Sequence, residues 1–227
     1  MITLSRPHAR NAMDTALLAA LLEALDQSLG DDRVRVLVIT GAGGAFSAGA
    51  DLREELDHEG RVQRMDLFGR VYQMVGTCPL PTVAAVAGPC VGGGAEVAAA
   101  CDLRVVDPTA TFRFPGAALG IPVGPAKLIG LVGLGTAKDL VFTSRTVDAA
   151  EAVRIGLAQR MAAPGEALTD AVEVARVIAA NHRGTVADQK RQFDRFSGLG
   201  DRIAAENDGL RTHAQAGGDH GVLDPHG

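Results

Sequence analysis

The sequence predicts an α/β protein in which short buried strands alternate with helices, and three observations predict it. Runs at Val34–Thr40, Thr82–Val86 and Leu103–Val106 are rich in apolar and β-branched residues and read as strands covered on both faces, as in a parallel sheet. The first two run into glycine-rich loops, Gly41–Gly49 and Gly88–Gly94. Segments with helical spacing of apolar residues follow, so strand, glycine turn, helix and strand succeed one another in the β-α-β order of a layered fold.

Taken in order, Met1–Leu4 reads as the end of a strand, followed by a polar turn through Arg6, Pro7 and Asn11. Asp14–Ser28 places Leu17, Leu18, Leu21, Leu22 and Leu25 on one helical face. The charged stretch Asp31-Asp32-Arg33 precedes the first buried strand, and a polar, helix-like stretch runs from Asp51 to about Gly76. Ala95–Ala100 is the helix after the second glycine loop. From there the chain reads as helices at Ala126–Thr143, Asp148–Ile155 (ending at Gly156) and Gly165–Ala180. Gly198–Gly200 is a break before a further helix at Asp201–Gln215, and the polar tail from Gly217 is expected to fray. No internal repeat occurs. The expected division is a core domain over 1–181 and a C-terminal helical segment and tail over 182–227.

The chain has 227 residues, enough for one domain with a substantial core. Its formal net charge is −5 and its Lys and Arg residues are scattered, which argues against a nucleic-acid surface. Cys78, Cys90 and Cys101 sit in apolar or small-residue surroundings without CxxC spacing or a His cluster, so buried free thiols are expected and a metal site is not. Met1–Ala12 has no apolar run of signal-peptide length, and no stretch approaches the roughly 18 apolar residues of a membrane span. These features point to a cytoplasmic protein.

The chemistry concentrates at the two glycine loops, Gly44–Leu52 and Ala87–Glu96. Small residues there let a ligand approach the backbone and leave peptide N–H groups facing outward. In the second loop those groups begin a helix, whose first donors are unsatisfied and whose dipole favours negative charge. Two such donors, one from each loop, make an oxyanion hole. Glu96 lies about one turn beyond Gly93 on the same face, where a base would act on the carbon beside a polarised carbonyl. The bland alternative is that the glycines serve only tight turns and that Glu96 is a solvated helix residue; its apolar and small neighbours from Val91 to Cys101 argue against the latter. Gly41-Ala42-Gly43 lacks the third glycine and the acidic residue of a dinucleotide fingerprint. Ser47 lacks the first glycine of a nucleophile elbow.

Together these motifs resemble the enoyl-CoA hydratase/isomerase (crotonase) superfamily. Arg6-Pro7 with Asn11-Ala12, Phe46–Leu52, Gly92–Glu96, Cys101-Asp102-Leu103, Phe112–Pro115 and Ala149–Ala158 match in order, over about Met1 to Asn181. The resemblance implies a crotonase-like (ClpP/crotonase) α/β spiral of β-β-α turns with a helical C-terminal region, assembled as a homotrimer or dimer of trimers. It implies an acyl-CoA or enoyl-CoA substrate, with coenzyme A carried as part of that substrate and no separate cofactor. The N–H groups of Ala50 and Gly93 would hold the thioester oxygen, and Glu96 would be an acid/base. Arg6, Ala9, Arg10, Ala48, Asp51 and Leu52 would contact the CoA, and Gly116 would line the acyl site.

Three departures bear on the reaction. The second glutamate of family hydratases corresponds to Gly116, and no Asp or Glu occurs from Pro108 to Lys138. The match begins inside the usual first strand, and the usual C-terminal pattern is not visible in Gly209–Gly227. The resemblance implies that hydration of an enoyl-CoA is shared between two carboxylates, whereas double-bond migration needs a single proton shuttle. Three readings stay open: a hydratase or isomerase acting through Glu96, an acyl-CoA-binding protein without turnover, and a thioester hydrolase. Glu96 is expected to be the only carboxylate near the α-carbon, and a glutamate placed at Gly116 is expected to enter the pocket facing it.

Overall fold

Two sheets organise the computed structural model, which describes residues 1–217. The larger contains β1 (Ile2–Leu4), β2 (Leu37–Gly41), β3 (Thr82–Val86), β5 (Leu103–Val106) and β8 (Arg160–Met161), adjacent in that order and all parallel. The smaller contains β4 (Pro89–Val91), β6 (Thr111–Arg113) and β7 (Thr146–Asp148), with β4 and β6 parallel and β7 antiparallel. Eight α-helices accompany them among the described residues: α1 (Thr15–Leu29), α2 (His58–Gly76), α3 (Gly93–Ala100), α4 (Pro125–Thr143), α5 (Ala149–Arg154), α6 (Ala167–Ala180), α7 (Arg183–Ser197) and α8 (Leu199–Gln215).

The apolar strand runs follow from burial on both faces of the large sheet. Leu37, Ile39, Ala84, Val86 and Val106 pack in one cluster with residues of α1, α2 and α3. Their alternate neighbours Val38, Val83, Ala85 and Val105 pack against Ala171 and Val174 of α6. Period-2 alternation is therefore invisible in the sequence, because both sets of side chains are apolar.

Local signals set the helix ends. Asp14, Asp57 and Asp148 each accept a bond from the backbone N–H three residues on, capping α1, α2 and α5. The cap at Asp57 explains why α2 starts at His58 and not near Asp51, since the loop before it is held by Arg53 N–H donating to the Asp51 side chain and by Arg64 donating to Asp51 O. Buried Arg104 donates to the carbonyls of Ala98 and Cys101 at the end of α3 and to that of Leu157. It thereby satisfies groups that a helix end leaves unpaired.

The short strands β4, β6, β7 and β8 escape a periodicity reading because each has only two or three residues. Helix α7 likewise has no clear signature in the sequence. Its one buried residue is Lys190, whose ammonium is held by Leu80 O and Asp102, while Phe193 and Phe196 stay exposed, so no apolar side chain of α7 is buried in the core. The break expected over Gly198–Gly200 narrows to Gly198, which adopts φ 63° between α7 and α8. Most of the tail expected to fray lies outside the described residues. Among the described residues no helix is long and apolar enough to cross a membrane. All three cysteines are buried and unpaired.

Candidate active site

Backbone pairing joins the two glycine loops. The N–H groups of Phe46 and Ser47 both donate to Pro89 O, and Val91 N–H donates to Ser47 O. On the far side, Met13 N–H donates to Gly49 O and Asp51 N–H to Met13 O. That bridge uses the groups on either side of Ala50 and leaves the Ala50 N–H free. Gly92 N–H donates to Arg113 O, while Gly93 opens α3. Among the described residues, neither Ala50 N–H nor Gly93 N–H has a protein acceptor.

The loops approach closely because they lack side chains. A methyl built on Gly49 would lie 2.8 Å from Val91 O and 3.3 Å from Gly93 N, and the residue has φ +89°. One on Gly93 would lie 2.5 Å from a Phe68 ring carbon. Ser47 is buried, with its hydroxyl donating to Asn11 O and accepting from Gly49 N–H. That arrangement supports the loop and offers no exposed nucleophile.

These elements enclose a cavity of about 260 Å³, walled by Ala48–Ala50, Leu52, Gly92, Gly93, Glu96, Pro115 and Gly116, with Phe68, Tyr72 and Leu210 among its apolar residues. Larger grooves near Met1–Val34 and alongside α7 are lined by no residue of the two glycine loops. Glu96 is the only carboxylate lining the cavity among the described residues. It is 1% exposed.

Behind Glu96 lies a group of charges that sequence reasoning missed. Lys127 Nζ stands 2.9 Å from Glu96 Oε2, with its side chain fully buried. The same ammonium pairs with Glu206 on α8 and lies 4.8 Å from the Tyr72 ring centroid. Glu206 Oε2 in turn accepts from the N–H groups of Gly124 (3.1 Å) and Ala126 (2.9 Å) at the start of α4. The only sequence signal was one lysine within the apolar stretch Ala126–Val132; nothing marked Glu206 as its partner. Burial pushes the Glu96 carboxyl up to about 7. The nearby ammonium opposes that rise, and the Glu206 charge adds to it. Lys127 is held above its ordinary value, because its two carboxylate partners outweigh the cost of burying it.

The other expected contact residues divide into two groups. Ala48, Leu52 and Gly116 line the cavity, with Leu52 72% exposed at its edge. Arg6, Ala9, Arg10 and Asp51 lie on the supporting loops outside its lining. The Arg6 guanidinium binds Asp51 Oδ2 (2.9 Å), Asp14 Oδ2 (3.1 Å) and Ala12 O, and Arg10 O accepts from Ala48 N–H. Gly116 corrects one expectation. A Cβ there would lie 2.6 Å from Ile121 O and 3.1 Å from Val123 O, so a side chain meets backbone instead of entering freely beside Glu96.

Comparison with known proteins agrees with this architecture. The enoyl-CoA hydratase/isomerase family model matches residues 1–208. The short-chain-enoyl-CoA hydratase of Clostridium acetobutylicum is 35% identical over 203 residues, covering 86% of this chain and 77% of that protein. The crystal structure of an enoyl-CoA hydratase/isomerase from Xanthobacter autotrophicus Py2 has a TM-score of 0.84 at 31% identity, over 94% of this chain and 83% of that one. A monofunctional enoyl-CoA isomerase from M. smegmatis has a TM-score of 0.74 at 33% identity, over 87% of each chain. The crotonase-like fold implied by the motifs is thus the fold observed, and the chain belongs to the enoyl-CoA hydratase/isomerase family.

Proposed function

We propose that this chain binds an acyl-CoA thioester in the cavity, holds its carbonyl oxygen between Ala50 N–H and Gly93 N–H, and moves a proton on the acyl chain with Glu96. The observation that carries this reading is the juxtaposition of two N–H groups without protein acceptors and one buried carboxylate in a single cavity. Negative charge develops on the thioester oxygen only as the α-proton leaves, so fixed donors there stabilise the enolate more than the substrate.

A single carboxylate in the lining favours double-bond migration over hydration. Glu96 removes a proton from C2 of a 3-enoyl-CoA, giving a dienolate whose oxygen rests on the two N–H groups. The same carboxyl returns the proton to C4, leaving a 2-enoyl-CoA, and no second acid or activated water is needed. Ala48 and Leu52 are suited to contact the pantetheine arm, with Arg6, Ala9, Arg10 and Asp51 on the loops toward the nucleotide. The family also makes a homotrimer or dimer of trimers the expected assembly. Exposed Leu134, Phe142, Val177, Phe193 and Phe196 are available for covering in such an assembly. Free buried cysteines suit the reducing cytoplasm.

A second reading, an acyl-CoA-binding protein without turnover, is favoured by the ion pair on Glu96. Turnover of a 3-enoyl-CoA and of crotonyl-CoA, thiol release from a saturated acyl-CoA, and calorimetric CoA binding separate the readings. Isomerisation that is lost in Glu96→Gln supports the first; tight binding with no turnover of any substrate replaces it with the second; thiol release would make the chain a hydrolase.

A further inference from the structure

The buried cluster behind the cavity has a geometry that a merely structural salt bridge does not require. Lys127 sits in the first turn of α4, where the helix dipole disfavours a cation, and is kept there by Glu206 from α8. Glu206 also accepts the N–H groups of Gly124 and Ala126, so it fixes both the start of α4 and the ammonium. Glu96 Oε2 is 2.9 Å from that ammonium, so two carboxylates from different helices share one buried cation. The carboxylate is thus held through Oε2 by the ammonium while Glu96 still lines the cavity. Four residues after Glu206, Leu210 closes the cavity wall.

Resting on the enolate reading above, we propose that Lys127 and Glu206 are positioning residues for Glu96: the ammonium holds the Glu96 carboxylate at the cavity wall, and Glu206 tempers that ammonium so that Glu96 can still accept and return a proton. Lys127 without Glu206 would hold Glu96 as a permanently ionised partner. Glu206 without Lys127 would leave two buried carboxylates together, one of which must take up a proton. The three charges act as a unit that brings a lone base into working range without a second carboxylate in the cavity. The groups facing Glu96 are Tyr72 from α2, the Cys90 thiol from β4, Arg113 from β6 at the cavity edge, Lys127 from α4 and Glu206 from α8.

The test exploits opposite signs. Carboxyl ¹³C NMR of glutamate-labelled protein, with the Glu96 resonance assigned by its loss in Glu96→Gln, follows the titration directly. Lys127→Met removes the charge that favours ionised Glu96, so the midpoint rises from about 7. Glu206→Gln removes the charge that opposes it and keeps an oxygen for the α4 N–H groups, so the midpoint falls. Shifts of roughly one pH unit or more are expected for charges at this range. The pH dependence of kcat/KM for isomerisation moves with each. Shifts in the same direction, or no shift in either variant, would overturn the proposal, because loosened packing alone does not produce opposite displacements. Should Lys127→Met not fold, the Lys127→Met/Glu206→Gln double variant replaces it; a midpoint above that of Glu206→Gln alone is expected, and an unchanged one rejects the role of Lys127. Exchange of the α-hydrogens of butyryl-CoA in deuterated water tests the enolate reading separately, since the titration needs no substrate.

Discussion

Lys127 Nζ lies 2.9 Å from Glu96 Oε2, and neither side chain has appreciable contact with solvent. The pair joins the only carboxylate that lines the cavity among the described residues to a lysine of α4 that stands behind the lining. Burial outweighs the ammonium for Glu96, so the carboxyl changes charge near neutral pH although it is ion-paired.

The first prediction follows for the kinetics. If ionised Glu96 is the base, kcat/KM for isomerisation rises with pH through about 7 and then levels. Glu96→Gln lowers kcat by about 10²–10⁴-fold, with CoA affinity retained. A flat pH profile between 5.5 and 8.5 would assign the proton transfer to another group.

A second prediction concerns stability. The Glu96 carboxyl is raised from 4.5 to about 7 on folding, so the folded state binds this proton more tightly than the unfolded chain. The associated stabilisation is complete below pH 4.5 and is lost as pH rises through about 7. Glu96→Gln removes this dependence. The variant's melting temperature relative to wild type should therefore be higher at pH 8 than at pH 5, as calorimetry at the two values would show.

Gly116 supplies the third. Because a Cβ would meet Ile121 O at 2.6 Å, Gly116→Ala is expected to destabilise by about 1–3 kcal/mol. Gly116→Glu should do the same without creating hydratase activity. Chemical denaturation measures the first effect, and hydration of crotonyl-CoA by Gly116→Glu at or above the wild-type rate would contradict the second.

The fourth concerns Arg6, whose guanidinium joins Asp14, Asp51 and Ala12 O around the loop that carries Ala50. Arg6→Gln should cost about 1.5–3 kcal/mol of stability, the range for hydrogen bonds to charged groups. Because the loop also presents the Ala50 N–H, kcat should fall by a larger factor than CoA affinity. A loss confined to CoA affinity would make Arg6 a ligand contact instead of a loop clamp.

What the sequence by itself determined lies in local chemistry. The strands at Thr82–Val86 and Leu103–Val106 were readable to the residue because their apolar, β-branched side chains are buried on both sheet faces. The glycine loops were readable because backbone can approach backbone there only without a Cβ, as Gly49 and Gly88 show. Glu96 stood out as a lone carboxylate among small residues. The tertiary structure alone decided how Glu96 is charged and held. Lys127 is 31 positions from Glu96, and Glu206 is 79 from Lys127. No helical or strand period relates them, and their proximity depends on how α3, α4 and α8 pack. Gly116 follows the same rule: its place beside the motif proline was legible, but the direction of its missing side chain depends on the Ile121–Val123 backbone folding across it. Spacing along a chain encodes faces and turns, whereas the meeting of distant buried charges is encoded only in packing.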